Sequence, residues 1–207
     1  MNHRGPAASR HVPVLVDRVV ELLAPALSRA GAVHVDGTLG MGGHAQAVLD
    51  TFPEAVVVGV DRDTEALDLA GERLAAYGPR LRRVHAAYDD IDAILDAVED
   101  ASGARTVDSS LFDLGVSSLQ LDAGDRGFAY AQDAPLDMRM DQSSGSTAAD
   151  ILATYSEVDI ARILRVYGEE RFAGRIARAV VARRTTAPVT TSGQLVQLLR
   201  EVIPSHS

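Results

Sequence analysis

Four glycines fall within the seven positions Gly37-Thr38-Leu39-Gly40-Met41-Gly42-Gly43, directly after the short run Val33-His34-Val35-Asp36 and just before Ala45-Gln46-Ala47-Val48-Leu49. Two β-branched residues ending at an acid, then glycines, then a helix-forming run predict strand, tight turn and helix. Glycine admits positive φ and lets backbone come close to a ligand, so this turn is where the chain can hold a nucleotide-like molecule. Several ligand classes use such turns, and the turn alone does not choose among them.

The next acidic strand end narrows the choice. Ala55-Val56-Val57-Val58-Gly59-Val60-Asp61 is an apolar run closing on aspartate, roughly 20 residues past the turn, where two-stranded nucleotide folds place the carboxylate that takes ribose hydroxyls. Two adjacent hydroxyls can donate to its two oxygens. The competing role for Asp61 is to cap the helix predicted from Thr64 to about Tyr77, which Gly78-Pro79 stops. Leu81 to Ala86 reads as a third strand, polar enough for a sheet edge, and a helix follows over about Asp89 to Asp100. Thr106 to Asp113 is a fourth strand that again ends in a carboxylate.

Strands alternating with helices predict an α/β fold with a parallel, doubly wound sheet, whose ligands gather beyond the carboxyl ends of the strands. Asp36, Asp61 and Asp113 all lie at those ends. Residues 1 to 11 lack a periodic pattern and are expected to form a mobile arm; Pro13 keeps its predecessor extended, and Asp17 is the expected N-cap of a helix reaching Leu27.

Beyond residue 113 the pattern changes. From Gly115 to about Asp141 it is irregular yet carries Leu121, Phe128, Tyr130 and Met138, so this long connection is expected to pack and to have a job. After Ser146 the chain reads as four helices: one capped by Ser146 or Thr147, one capped by Ser156, one over Glu169 to Arg184, and one opened by Ser192. The expected domains are therefore 12–141 and a helical lobe over 142–207. No strand pattern occurs after residue 113, so the sheet is expected to be incomplete, at four strands.

A net charge of −9 excludes a generally basic coat, but Ser156 to Ala187 holds seven arginines against four acids, which marks the helical lobe as a candidate phosphate-facing surface. The competing reading of those arginines is a solvated helical face with ion pairs along it. There are no cysteines, which excludes disulfides and thiolate metal sites, and the six histidines lack ligand spacing, so no metal is assigned. No run approaches the roughly 20 apolar residues of a membrane helix and the first residues lack a signal-peptide core, so a cytoplasmic protein with no membrane partner is expected.

Four stretches taken together carry a resemblance: Asp36 to His44; Asp61-Arg62-Asp63; Asp113-Leu114-Gly115-Val116-Ser117-Ser118 with Gln120-Leu121-Asp122; and Arg126-Gly127-Phe128 with Pro135-Leu136-Asp137-Met138-Arg139-Met140-Asp141. In this order they resemble the bacterial 16S ribosomal RNA cytosine-N4 methyltransferases of the MraW/RsmH type, and Tyr167 to Ala173 with Ile176 to Ala179 also fits. The similarity covers about residues 11 to 204. Leu119 stands where the family usually has proline, and family members continue past this point with a segment that completes the sheet, so the chain is expected to be truncated at its C-terminus.

The resemblance implies a Rossmann-like class I fold binding S-adenosylmethionine, with a helical lobe that recognises 16S ribosomal RNA or the small ribosomal subunit. Gly42, Gly43 and His44 would line the methionine end, Asp61 the ribose and Tyr88 the adenine, with Asp113 and Gln120 completing the pocket. Asp113 is also the candidate catalytic residue, accepting a proton from the cytidine amine; a cofactor contact is the equal alternative. A homodimer is left open. Two rival functions remain at this level: a nicotinamide-dependent oxidoreductase, which the turn and the Asp61 spacing also fit, and a non-catalytic RNA-binding fragment.

Overall fold

The computed structural model describes residues 13–117, 120, 121, 124, 126–128 and 133–204; the arm expected over 1–11 lies outside them, as do Ser118, Leu119, Asp122 and Tyr130. The contacts divide the chain into two compact units, Met1–Ser117 and Ser118–Ser207. Among the described residues no helix is long and apolar enough to cross a membrane.

The first unit runs α1 (Val16–Leu27), β1 (Val33–Asp36), α2 (Gly43–Thr51), β2 (Val56–Asp61), α3 (Thr64–Arg73), a 3-10 turn over Ala75–Arg80, β3 (Leu81–His85), α4 (Ile91–Ser102) and β4 (Ser109–Leu111). The four strands form one sheet in the order β3-β2-β1-β4, every neighbouring pair parallel. This is the expected α/β, Rossmann-like arrangement, with polar β3 at an edge. Alternation along the strands sends Val57 to one face, packed with Val48, Leu49, Leu67 and Leu74, and Val33, Val35, Val58 and Val60 to the other, against Ile94, Ala97 and Val98 of α4. His34 and Asp36 therefore lie on the opposite face of β1 from its valines.

Element ends moved in informative ways. The N-cap of α1 is Leu15, not Asp17, and Leu15 holds a left-handed backbone (φ 53°). α3 is capped by Asp63, whose side chain accepts from the Glu65 amide at 3.1 Å, so Asp61 is free of the capping role. The helix expected from Glu169 starts at Ala173, because Glu169 itself sits at φ 50°.

The second unit packs α5 (Ala148–Thr154), α6 (Glu157–Val166), α7 (Ala173–Arg183) and α8 (Ser192–Val202) around Ile160, Ile176, Val180 and Leu198. Leu136 belongs to the same cluster. Its amide donates to the Thr190 carbonyl at 2.9 Å, and Pro135 bridges Thr191. Residues 133–141 thus pack with the helices, which is why the division of contacts falls after Ser117 rather than after residue 141.

One charged group fastens the start of β1. Asp108 accepts from the Val33 amide at 2.7 Å and from the Arg29 guanidinium; the Arg29 hydrogen bond, then the Val33 amide, hold its carboxyl below the usual carboxylate range. Asp108→Ala is expected to lower the unfolding free energy at pH 7 by about 1–2 kcal/mol, since Arg29 is largely exposed and only the amide bond is sheltered. A depressed carboxyl stabilises above its unfolded value and ceases to as pH falls through its folded one, so the gap between variant and parent, read from urea midpoints, should close in acid below about pH 3.

Candidate functional site

The glycine turn joins the ends of β1 and β2. Gly40 and Gly42 have φ of 51° and 77°, conformations that side chains with a Cβ rarely adopt. At Gly42 a Cβ would also stand 2.6 Å from Leu74, the C-cap of α3. The Gly40 amide donates to Asp61 Oδ2 at 2.7 Å, while Asp61 Oδ1 accepts from the Asp63 amide at 2.9 Å. Asp61 therefore links the turn to the end of β2 and still has lone pairs for a further donor on each oxygen. Burial pushes its carboxyl up, and the amides of Asp63 and Gly40 pull it back down.

Asp36 ends β1 beneath this turn and is 1% exposed. Its Oδ1 accepts from the Thr38 amide at 3.2 Å, but Oδ2 has no hydrogen-bond partner among the described residues. Burial raises its carboxyl to about 6; the Thr38 amide and His44 oppose the rise, and the charges of Asp61 and Asp113 add to it. His44, Asp61 and Asp113 are thus each within electrostatic reach of Asp36. One strand position pair earlier lies His34, fully buried, with Nδ1 2.9 Å from Ser109 Oγ and Nε2 without a partner among the described residues. Burial lowers its imidazole to about 4, so it is neutral at pH 7.

Six of the seven predicted ligand-site residues lie in this unit. Gly42 caps α2, Gly43 and His44 open it, and Asp61 ends β2. His44 Nε2 lies 2.9 Å from the Val14 carbonyl. Tyr88 follows β3 and sets its ring edge-to-face on Phe112, with centroids 6.0 Å apart. Asp113 lies two residues past β4 and is exposed; its amide donates to Thr38 Oγ1 at 2.7 Å. Gln120 belongs to the second unit, where it is buried.

Sequence reasoning passed over three neighbours of this site. Phe112 covers Gly37 so closely that a Cβ there would stand 2.2 Å from the ring, and with Tyr88 it leaves a half-exposed aromatic pair at the carboxyl edge. Pro13 covers Gly43 in the same manner, at 2.4 Å. Asp36 is expected as one of three acids at the carboxyl ends of the strands, with no role of its own assigned. Two of the glycines were the available signal, since a glycine outside a positive-φ position marks a close approach.

A family model described as the MraW methylase family matches residues 8–207. Among curated relatives, the ribosomal RNA small subunit methyltransferase H of Nocardioides sp. is 62% identical over 201 residues, covering 97% of this chain and 61% of that protein. The proteins of the same name from Salinispora arenicola and Thermobifida fusca are each 58% identical, covering 97% and 98% of this chain and 53% and 60% of their own lengths. The chain thus spans little more than half to three fifths of these relatives.

The electrostatics of Asp36 yield a stability test. Because its folded carboxyl is raised to about 6 from an ordinary 3.8, the folded state holds a proton that the unfolded state has lost, and stability falls as pH rises between those values. Asp36→Asn is expected to stabilise the ligand-free chain at pH 8 by roughly 3 kcal/mol, and by much less at pH 4. Urea unfolding at the two pH values reads the difference.

Proposed function

This chain belongs to the MraW methylase family, and from that premise we propose that it binds S-adenosylmethionine at the carboxyl edge of its sheet and serves methylation of the N4 amine of a cytidine in small-subunit ribosomal RNA. The observation that carries the cofactor reading is the buried Asp36 carboxylate with its unpartnered Oδ2, in reach of two further carboxylates. Such a cluster favours a cation, which relieves the repulsion among like charges. S-Adenosylmethionine is a nucleoside bearing a sulfonium and an ammonium. A dinucleotide would instead bring a pyrophosphate to the glycine turn, against those carboxylates, which disfavours the oxidoreductase.

On this reading Asp61 takes the ribose hydroxyls with the lone pairs left by Gly40 and Asp63, Tyr88 offers a ring to the adenine, and Gly42, Gly43 and His44 border the amino-acid end. The bound donor supplies a methyl group already attached to a positively charged leaving group. The chain's task is then to hold the acceptor amine in line and to receive its proton. Asp113 is the residue for that proton, its backbone fixed to the turn through Thr38.

The RNA falls to the helical lobe over 142–207. Arg162, Arg178 and Arg183 are paired with Asp159, Glu157 and Glu201, and Arg184 donates to the Tyr155 carbonyl at 2.6 Å. The side chains of Arg165 and Arg175 make no ion pair or hydrogen bond among the described residues, and are assigned to phosphates. A ribosomal substrate places the protein in the bacterial cytoplasm, and a homodimer is compatible with this chemistry.

Calorimetric titration tests the reading. S-Adenosylmethionine should bind and NAD should not, and Asp61→Asn should weaken the former about tenfold by removing one acceptor oxygen. Incubation with small-subunit ribosomal RNA, followed by digestion to nucleosides, should release N4-methylcytidine. Heat without methyl transfer would mark a binding fragment, and heat with NAD alone would overturn the proposal.

A further inference from the structure

The segment Pro13-Val14-Leu15 crosses the start of α2 as a strap. Pro13 lies against Gly43, where a Cβ would come 2.4 Å from the proline ring. The Val14 carbonyl lies 2.9 Å from His44 Nε2. Leu15, which ends the strap and caps α1, sits at φ 53° with its side chain 72% exposed. A branched side chain in the left-handed region is strained, and here no packing of that side chain repays the strain. What the conformation does achieve is to start α1 at Val16, with the Leu15 carbonyl accepting from the Val19 amide at 2.9 Å, while the preceding carbonyl remains turned to His44.

A carbonyl can only accept, so the His44 nitrogen facing it must carry the proton. In the neutral ring that leaves Nδ1 as an acceptor, and Nδ1 has no hydrogen bond among the described residues. The ring stands within electrostatic reach of Asp36, whose unpartnered Oδ2 is likewise an acceptor. An acceptor nitrogen left open where the glycine turn enters α2 calls for a donating ligand group, which an ammonium supplies and a carboxylate does not.

We infer that Val14 is a positioning residue of the methyl-donor site: its carbonyl, aimed by the left-handed Leu15 and by Pro13 on Gly43, fixes the His44 tautomer that accepts from the α-ammonium of the donor's amino-acid end. This rests on the S-adenosylmethionine reading above and assigns a further wall to that site. The strap acts through His44 and touches no reacting atom.

The test compares two ligands that differ only at the amino-acid end, S-adenosylhomocysteine and 5′-methylthioadenosine. Leu15→Pro forbids the left-handed backbone and is expected to weaken S-adenosylhomocysteine about tenfold or more, leaving 5′-methylthioadenosine unchanged. Leu15→Gly, which adopts the same φ without strain, restores the parent's discrimination between the two. His44→Leu should repeat the selective loss. His44→Gln should recover much of it, because an amide can donate to Val14 and accept from the ligand together. If Leu15→Pro binds S-adenosylhomocysteine as tightly as the parent, or weakens both ligands alike, the strap only supports the fold and the inference falls. A parent chain that binds neither ligand overturns the methyl-donor reading itself.

Discussion

The carboxylate of Asp61 holds the carboxyl edge of the sheet together. One oxygen takes the Gly40 amide and the other the Asp63 amide, so a single side chain secures both the turn after β1 and the start of α3. Backbone bonds from Leu39 to the Val60 carbonyl and from Gly42 to the Leu39 carbonyl complete the fastening. With the turn anchored there, Gly42 can lie against Leu74 and deliver α2 onto the sheet. Asp36, His44 and Asp113 owe their proximity to that turn. The interaction is strong because donors and acceptor are sheltered and the acceptor is charged.

β1 carries a cost that its sequence need not have incurred. A strand buried on both faces is expected to be apolar throughout, yet His34 and Asp36 occupy one of its faces, each with a polar atom unpartnered among the described residues. Their titrations oppose one another. The lowered imidazole reduces stability as pH falls from about 6.5 towards 4, and the raised carboxyl reduces it as pH rises from about 4 towards 6. Neither group improves the fold at neutral pH. Local rules broken without structural gain are expected where a site is being built, and Asp36 stands beside that site. His34 is one step further in, bonded to Ser109 on β4, and the structure gives no role for its free nitrogen.

The sheet was legible because its signals are local: β-branched runs, terminal acids and glycines sit within a few residues of one another. The two central strands and the turn came out as read. β4 came out shorter at both ends, and at the second of them Phe112 leaves the strand to lie over Gly37, a contact that no pattern around residue 112 encodes. The cap of α1 differs for another reason: Asp17 has the composition of a cap, whereas Leu15 has only a left-handed conformation that its residue type does not announce. The division after Ser117 was illegible because the partners of residues 133–136 lie at 190–193. Of the candidate site, the resemblance supplied the residues proposed to face a ligand, and physics in the folded chain supplied Phe112 and Pro13 packed against its glycines.

Charge sign separates what the two units can bind. The chain is acidic overall at −9, so an anionic polymer cannot be drawn to it by net charge and must be held by local clusters. In the first unit the clustered groups at the sheet edge are carboxylates, which repel phosphate and suit a cationic nucleoside. In the second, most of the arginines between Arg162 and Arg184 are already committed to carboxylates or a carbonyl, and Arg171 lies over the Phe172 ring. A basic stretch in sequence is thereby reduced to a small uncommitted remainder at Arg165 and Arg175. So few uncommitted arginines among the described residues of that stretch, on a chain of net charge −9, give weak general affinity for RNA, so on the proposed function selection of the nucleotide rests on contacts to the base and its surroundings more than on the phosphate backbone.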